Sequence, residues 1–218
     1  MKKIAIFGDC IPLGHCSFYV LGENRLLGKS NSLLKDKPLI SLVDELKEMY
    51  DVDCFCERNY AVSYKGCRFV KYTDSIVYKI LNSDLSIYDT IIIWGCIHDY
   101  RQANIMDDPR DDMSPKSVHG AYNLIIKELK EKYPDKKVIF ILPLWSKKKN
   151  NVNFGDFISL LKEKIEKSGY EYISFYDYIK KYIKFEWQWR VLFPDGFHPS
   201  LDCRYILNEY IIENVKNI

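Results

Sequence analysis

Three short polar segments of this chain hold residue types that can do covalent chemistry. In Asp195-Gly196-Phe197-His198-Pro199 a carboxylate precedes a histidine by three positions, across a glycine. In a tight turn the two can hydrogen-bond, which selects one imidazole tautomer and leaves the other ring nitrogen as a base. Cys10, in Phe7-Gly8-Asp9-Cys10-Ile11, supplies a thiol. A thiol within reach of such a base completes the set of nucleophile, base and orienting carboxylate. Near a helix N-terminus and His198, its pKa would fall below the free value of about 8.5. The third segment is Gly95-Cys96-Ile97-His98-Asp99-Tyr100-Arg101. Each also has a purely structural reading: Asp195 and His198 as a capped turn, Cys10 as a small buried residue, Asp99 and Arg101 as a pair that shapes a loop. Arrival at one edge of one sheet would favour the chemical reading.

The elements that must position these residues alternate between strand and helix. Lys3-Ile4-Ala5-Ile6-Phe7 is a short apolar run that stops at Gly8-Asp9, as a buried parallel strand does. Leu39, Leu42, Val43, Leu46 and Met49 recur at steps of three and four, which predicts an amphipathic helix near 39–50. Further strands are expected at Val52–Cys56, Thr90–Trp94, Val138–Leu142 and Tyr172–Phe175. Cys54 and Cys56 then fall on one strand face as core residues. Helices are expected around Ile76–Leu81, from Ser114-Pro115 (an N-cap followed by proline at the first helical position) to Pro134, around Phe157–Ile165, and from Leu201 to Val215. Strands joined through helices predict right-handed crossovers and a parallel sheet covered on both faces. No repeat or linker divides the chain, so residues 1–218 are read as one domain. The stretch 11–38, with Gly14, Gly22 and Gly28, is either partly helical or a loop over the site. Because ligands of such sheets bind beyond the carboxyl ends of the strands, all three polar segments fall where a site should be.

These segments resemble, in order, the sequence blocks of SGNH (GDSL-like) hydrolases. Phe7-Gly8-Asp9-Cys10-Ile11 is similar to their opening G-D-S block, Gly95–Arg101 to their G-x-x-N-D-Y-R block, and Asp195–Pro199 to their D-x-x-H-P block. The resemblance spans nearly the whole chain and implies a three-layer α/β/α, flavodoxin-like parallel sheet of about five strands. It implies ester hydrolysis or acyl transfer through a Cys10-His198-Asp195 triad, with O-acetyl or other short acyl groups on a carbohydrate or lipid as substrates. Its oxyanion hole would consist of Cys10, His98 and Tyr64. The chain departs from the pattern at each of these: Cys10 stands for the family's serine, His98 for its asparagine, and Tyr64, in Asn59-Tyr60-Ala61-Val62-Ser63-Tyr64, for its glycine, with Gly66 close by. A backbone N–H can serve whatever side chain it carries, and a neutral histidine can donate as an asparagine does. Asp9, Asp99 and Trp145 are candidates for touching substrate; for Trp145, Trp187 and Trp189, core packing is an equal reading.

Composition removes other classes. With 32 basic and 30 acidic residues the charge is +2, which leaves no basic stripe for nucleic acid. The run Lys147-Lys148-Lys149 reads as a solvated loop rather than a phosphate patch. The apolar N-terminal run is too short for a signal peptide and no window reaches a membrane span. Seven cysteines without a tight framework suggest reduced thiols and a cytoplasmic location. His15, His98, His119 and His198 lack ligand-like spacing, so neither a metal nor another cofactor is expected. His15 with Cys16 reads as loop packing rather than a second catalytic pair. The first strand–turn reads G-D-C-I-P-L-G rather than G-x-G-x-x-G, against a dinucleotide site. The alternative from another class is a degenerate relative that binds an acylated ligand or a partner without turnover.

Overall fold

A computed structural model of the chain describes residues 1–21, 26–30, 41–67, 71–95, 97–102, 112–148 and 152–217. Gly22, Cys96 and Lys149 lie outside the described residues. The strands are β1 (Lys3–Gly8), β2 (Ser17–Leu21), β3 (Leu26–Ser30), β4 (Asp51–Cys56), β5 (Thr90–Trp94), β6 (Lys137–Ile141) and β7 (Glu171–Ile173). Five of them form one parallel sheet in the order β4-β1-β5-β6-β7, with Ile4 beside both Val52 and Thr90. The middle strands β1 and β5 are buried along almost their whole length, which is why both read as unbroken apolar runs without alternation. At the edge, β4 is only partly covered. Cys54 is exposed and Cys56 half-buried, so the expectation that both sit in the core fails on the strand's edge position.

The helices are α1 (Leu42–Lys47), α2 (Ile76–Leu81), α3 (Ile97–Gln102), α4 (Val118–Lys132), α5 (Phe154–Ser168), α6 (Phe175–Lys180), α7 (Glu186–Leu192) and α8 (Leu201–Asn217). One layer holds α1, α8 and α6: Asn208 bridges to Glu45, and Tyr178 stacks on Tyr210 at 4.3 Å. The other holds α2, α4 and α5, the last two joined by Lys164 donating to Asn123. The result is the three-layer α/β/α sandwich.

Capping side chains decide where several elements begin. Ser117, not Ser114, caps α4 by accepting the Gly120 N–H, so the helix starts one turn later than the Ser-Pro pair suggests. Ser174 caps α6 by accepting the Asp177 N–H, which ends β7 at Ile173 and moves Phe175 from the expected strand into a helix. Part of the stretch 11–38 is neither helix nor bare loop: β2 and β3 pair as an antiparallel hairpin outside the main sheet.

Leaving aside the hairpin, the strands run 2-1-3-4-5, and the order reverses between β1 and β5. That reversal opens a crevice beyond the carboxyl ends of these two strands. Cys10 follows β1 and α3 follows β5, so the topology brings the first two polar segments to one place.

Candidate active site

The nucleophile segment leaves β1 as a turn. Asp9 is fully buried and its Oδ1 accepts the Ile11 N–H at 2.9 Å, while the His15 N–H donates back to the Cys10 carbonyl. Burial pushes Asp9 up to about 7, although the Ile11 and Ile97 N–H groups pull the other way. So placed, Asp9 ties the Cys10 turn to the start of α3.

The histidine turn is held from both sides. Asp195 Oδ1 accepts the N–H groups of Phe197 (3.1 Å) and His198 (2.9 Å), and Oδ2 lies 2.7 Å from His198 Nδ1. Gly196 takes φ +99, a left-handed conformation that lets the turn close. From the other side Ser17 donates its hydroxyl to the His198 carbonyl (2.6 Å) and its N–H to the Pro199 carbonyl. Burial raises Asp195, but its bonds to the His198 side chain and backbone outweigh that and hold it below the usual carboxylate range.

These restraints bring His198 Nε2 to 3.2 Å from Cys10 Sγ, across 188 residues of sequence. With Nδ1–H donating to Asp195, Nε2 is left to accept the thiol proton. The thiol is 4% exposed, and burial pushes it well above its ordinary value, with the Asp9 charge adding to the effect. The condition for a lowered thiol is not met, since Cys10 sits in a turn and not at a helix N-terminus.

The opposite wall is built differently. Asp99, also fully buried, accepts the Val62 N–H (2.8 Å), the Ser63 N–H (2.9 Å) and the Ser63 hydroxyl (2.6 Å). It anchors the 61–66 loop, and it does not pair with Arg101, whose guanidinium lies 4.0 Å over the Phe197 ring. The Tyr64 N–H donates to the Pro115 carbonyl at 2.8 Å, and that of Gly66 to Ser63. Neither position of the expected alignment offers an uncommitted backbone donor. Gly66 owes its identity to packing, since a Cβ there would lie 2.4 Å from that of Ala61.

His98 is buried on the first turn of α3, its ring 6.3 Å from that of Phe197, which itself lies 3.9 Å from the ring of His198. Burial lowers His98 to about 4, helped by the charges of Arg101 and His198, so it is neutral at pH 7 and keeps one ring N–H to donate.

Trp145 is buried and stacks on Trp189 of α7 at 5.4 Å and 7°. The pair lines a cavity of about 550 Å³, so core packing and pocket lining are combined in one residue. A second cavity of about 280 Å³ reaches Asp195 and Phe197 and shares Ser146, Lys147 and Lys148 with the first.

Sequence reasoning passed over Ser17, a loop serine with no pattern around it, and Arg204, whose place within α8 gives no sign that it is fully buried. The Arg204 guanidinium donates to the Ile11 carbonyl beneath the nucleophile turn; burial lowers it to about 10, so it stays protonated. His15 packs within the loop after β1, as expected. It is buried with its ring 6.2 Å from His198, and burial, with the charge of Arg58 next, lowers it to about 4. Among the described residues no group of three or more His, Cys, Asp or Glu is placed to hold a metal.

Comparison of the sequence with protein-family profiles and with curated proteins gives no match. Solved structures do match. A protein from Lactobacillus plantarum superposes with a TM-score of 0.70 at 15% identity, over 99% of this chain and 97% of its own. The lipase/acylhydrolase from Enterococcus faecalis gives 0.61 at 18%, over 100% and 96%. A member of the lipolytic protein G-D-S-L family from Veillonella parvula gives 0.56 at 14%, over the full length of both. At these identities the likeness is one of fold: the chain has the three-layer fold of GDSL-like acylhydrolases.

Proposed function

We propose that this chain is an acyl hydrolase acting on an ester, with Cys10 as nucleophile, His198 as base and then acid, and Asp195 as its orienting carboxylate. The observation that carries the reading is the unbroken line from Cys10 Sγ through both ring nitrogens of His198 to Asp195, at 3.2 and 2.7 Å. Sγ forms a bond to the carbonyl carbon as its proton passes to Nε2. The tetrahedral oxyanion collapses, the C–O bond breaks, and the leaving alcohol takes the proton from Nε2. Water then attacks the thioester, giving His198 a proton; the acid departs and the thiol recovers that proton. The Cys10 N–H and the ring N–H of His98 are the oxyanion donors assigned here, without Tyr64. Short O-acyl groups on a carbohydrate or lipid are the substrates this reading favours. Six free thiols among the described cysteines suit a reducing, cytoplasmic setting. No helix among the described residues is long and apolar enough to cross a membrane.

The test is hydrolysis of short-chain aryl esters and thioesters by the parent protein, Cys10→Ala and Cys10→Ser side by side. Activity in the parent that disappears in the alanine variant supports the proposal, and equal activity in both overturns it. A faster ester rate in the serine variant would mean that the thiol limits an otherwise ordinary esterase site.

A second reading, a ligand-binding relative without turnover, is favoured by one feature: the Tyr64 N–H is already bonded to Pro115. It predicts no hydrolysis by any of the three proteins and ligand binding that survives His198→Ala.

A further inference from the structure

The larger cavity, which adjoins the one that reaches Asp195, has a charge pattern that the composition does not explain. Across the whole chain basic and acidic residues nearly cancel, at 32 and 30. Around this cavity, four lysines converge from two separate segments: Lys147 and Lys148 from the loop after β6, Lys180 and Lys184 from the end of α6 and the turn beyond it. The single carboxylate on its lining is Glu186, which already lies 3.5 Å from Arg190. Arg101 extends the cationic wall into the adjoining cavity, where the one acid, Asp195, is committed to His198. Beneath the lysines the floor is aromatic, made by the stacked Trp145 and Trp189 with Tyr100 and Phe154 edge to face at 5.0 Å.

This cationic loop is also fixed to the catalytic turn. The Lys147 N–H donates to the Gly196 carbonyl at 2.8 Å, and the Lys148 ammonium donates to the Arg101 carbonyl at the end of α3. A group seated among the lysines is therefore tied through the Lys147 backbone to the turn that carries Asp195 and His198. Several ammonium groups around one cavity match a multiply charged anion better than a single carboxylate, and an aromatic floor suits the planar or apolar body that carries it.

We propose that this cavity binds a phosphate-bearing leaving-group portion of the acyl substrate, so that the acceptor released by the enzyme is a phosphorylated alcohol or thiol. The proposal rests on the acyl-transfer reading of Cys10, His198 and Asp195 for its meaning, but its binding half can be measured without turnover.

The Cys10→Ala protein is titrated by calorimetry with two matched pairs: adenosine 3′,5′-bisphosphate against adenosine, and glucose 6-phosphate against glucose. The expected result is binding of the phosphorylated member at least about tenfold tighter in one pair, the pair showing whether the source is a nucleotide or a sugar. The preference should weaken with added salt, as exposed charge pairs do. Lys180→Ala/Lys184→Ala should lose about tenfold of it, while Lys180→Arg/Lys184→Arg retains it. In the parent protein, 1-butyrylglycerol 3-phosphate should be hydrolysed with a higher kcat/KM than 1-butyrylglycerol, and the same alanine pair should bring the ratio toward one. Equal binding within both pairs, or a preference unmoved by the alanine pair, overturns the proposal. Phosphate-dependent binding with no hydrolysis of either ester supports the anion site and breaks the acyl-transfer reading instead.

Discussion

The two walls of the crevice use the same kinds of residue to opposite ends. On the histidine wall, buried hydrogen bonds converge on groups that remain chemically available: Ser17, Asp195 and Gly196 fix His198, yet its Nε2 still faces the thiol. On the 61–66 wall, the polar groups are consumed in holding the loop. Asp99 takes two N–H groups and a hydroxyl, and the Tyr64 N–H goes to Pro115. A buried polar group that finds a partner stabilises the fold, and the same bond removes it from catalysis. In the proposed mechanism the proton-handling half of the site is in place, and the oxyanion half rests on Cys10 and His98.

Variants sharpen this contrast. The largest effects belong to the histidine wall. Cys10→Ala and His198→Ala should each lower kcat on a short aryl ester by at least about 10³-fold. Asp195→Asn, which keeps the shape but supports the wrong tautomer, should cost about 10²–10⁴-fold with little change in KM. On the other wall, His98→Ala should cost about 10²-fold in kcat, and His98→Asn should recover most of it, since an amide can donate where the imidazole did. Full activity in His98→Ala would leave the second wall without a side-chain donor.

Asp9, which ties the Cys10 turn to the start of α3, should announce itself through stability. Its carboxyl is raised from 3.8 to about 7 by burial. Between those values the folded protein keeps a proton that the unfolded chain has released, so the stability due to this group falls as pH rises from about 4 to about 7. Asp9→Asn should flatten that fall by on the order of a few kcal/mol, measured by urea unfolding at pH 4.5 and 7.5. Asp99, raised to about 6, leaves a residual slope of the same sign. The smallest effect is expected of Tyr64→Gly. With its N–H already bonded, it should change kcat by less than about threefold, and a large gain would show that Tyr64 can turn toward the site.

Much of this was legible in the sequence because it depends on local pattern. The runs Ile4–Phe7 and Ile91–Trp94 read as buried parallel strands, and Asp195 with His198 read as a hydrogen-bonded pair from spacing alone. What escaped depends on long-range placement. That Arg204 lies under the Cys10 turn, and that Ser17 meets His198, follows from the packing of α8 and the hairpin and from no periodicity. Lys147 and Lys148, expected as a solvated run, are exposed; that Lys180 and Lys184 line the same cavity from more than thirty positions away follows from the fold and not from spacing. The short helices α3, α6 and α7 were not expected, because their aromatic and charged residues lack the recurring aliphatic positions that mark the equally short α1 and α2. The fate of the Tyr64 N–H could not be read, since a backbone donor leaves no mark on the residue that carries it.

The central claim is that Cys10 takes the acyl group. It is tested most directly by mixing the parent protein with 4-nitrophenyl butyrate, quenching in acid before the first turnover ends, and mapping peptides by mass spectrometry. One butyryl group is expected on the peptide that contains Cys10, absent from Cys10→Ala and removed on longer incubation. Ester hydrolysis with no adduct on that peptide, and with the same rate in Cys10→Ala, would contradict it.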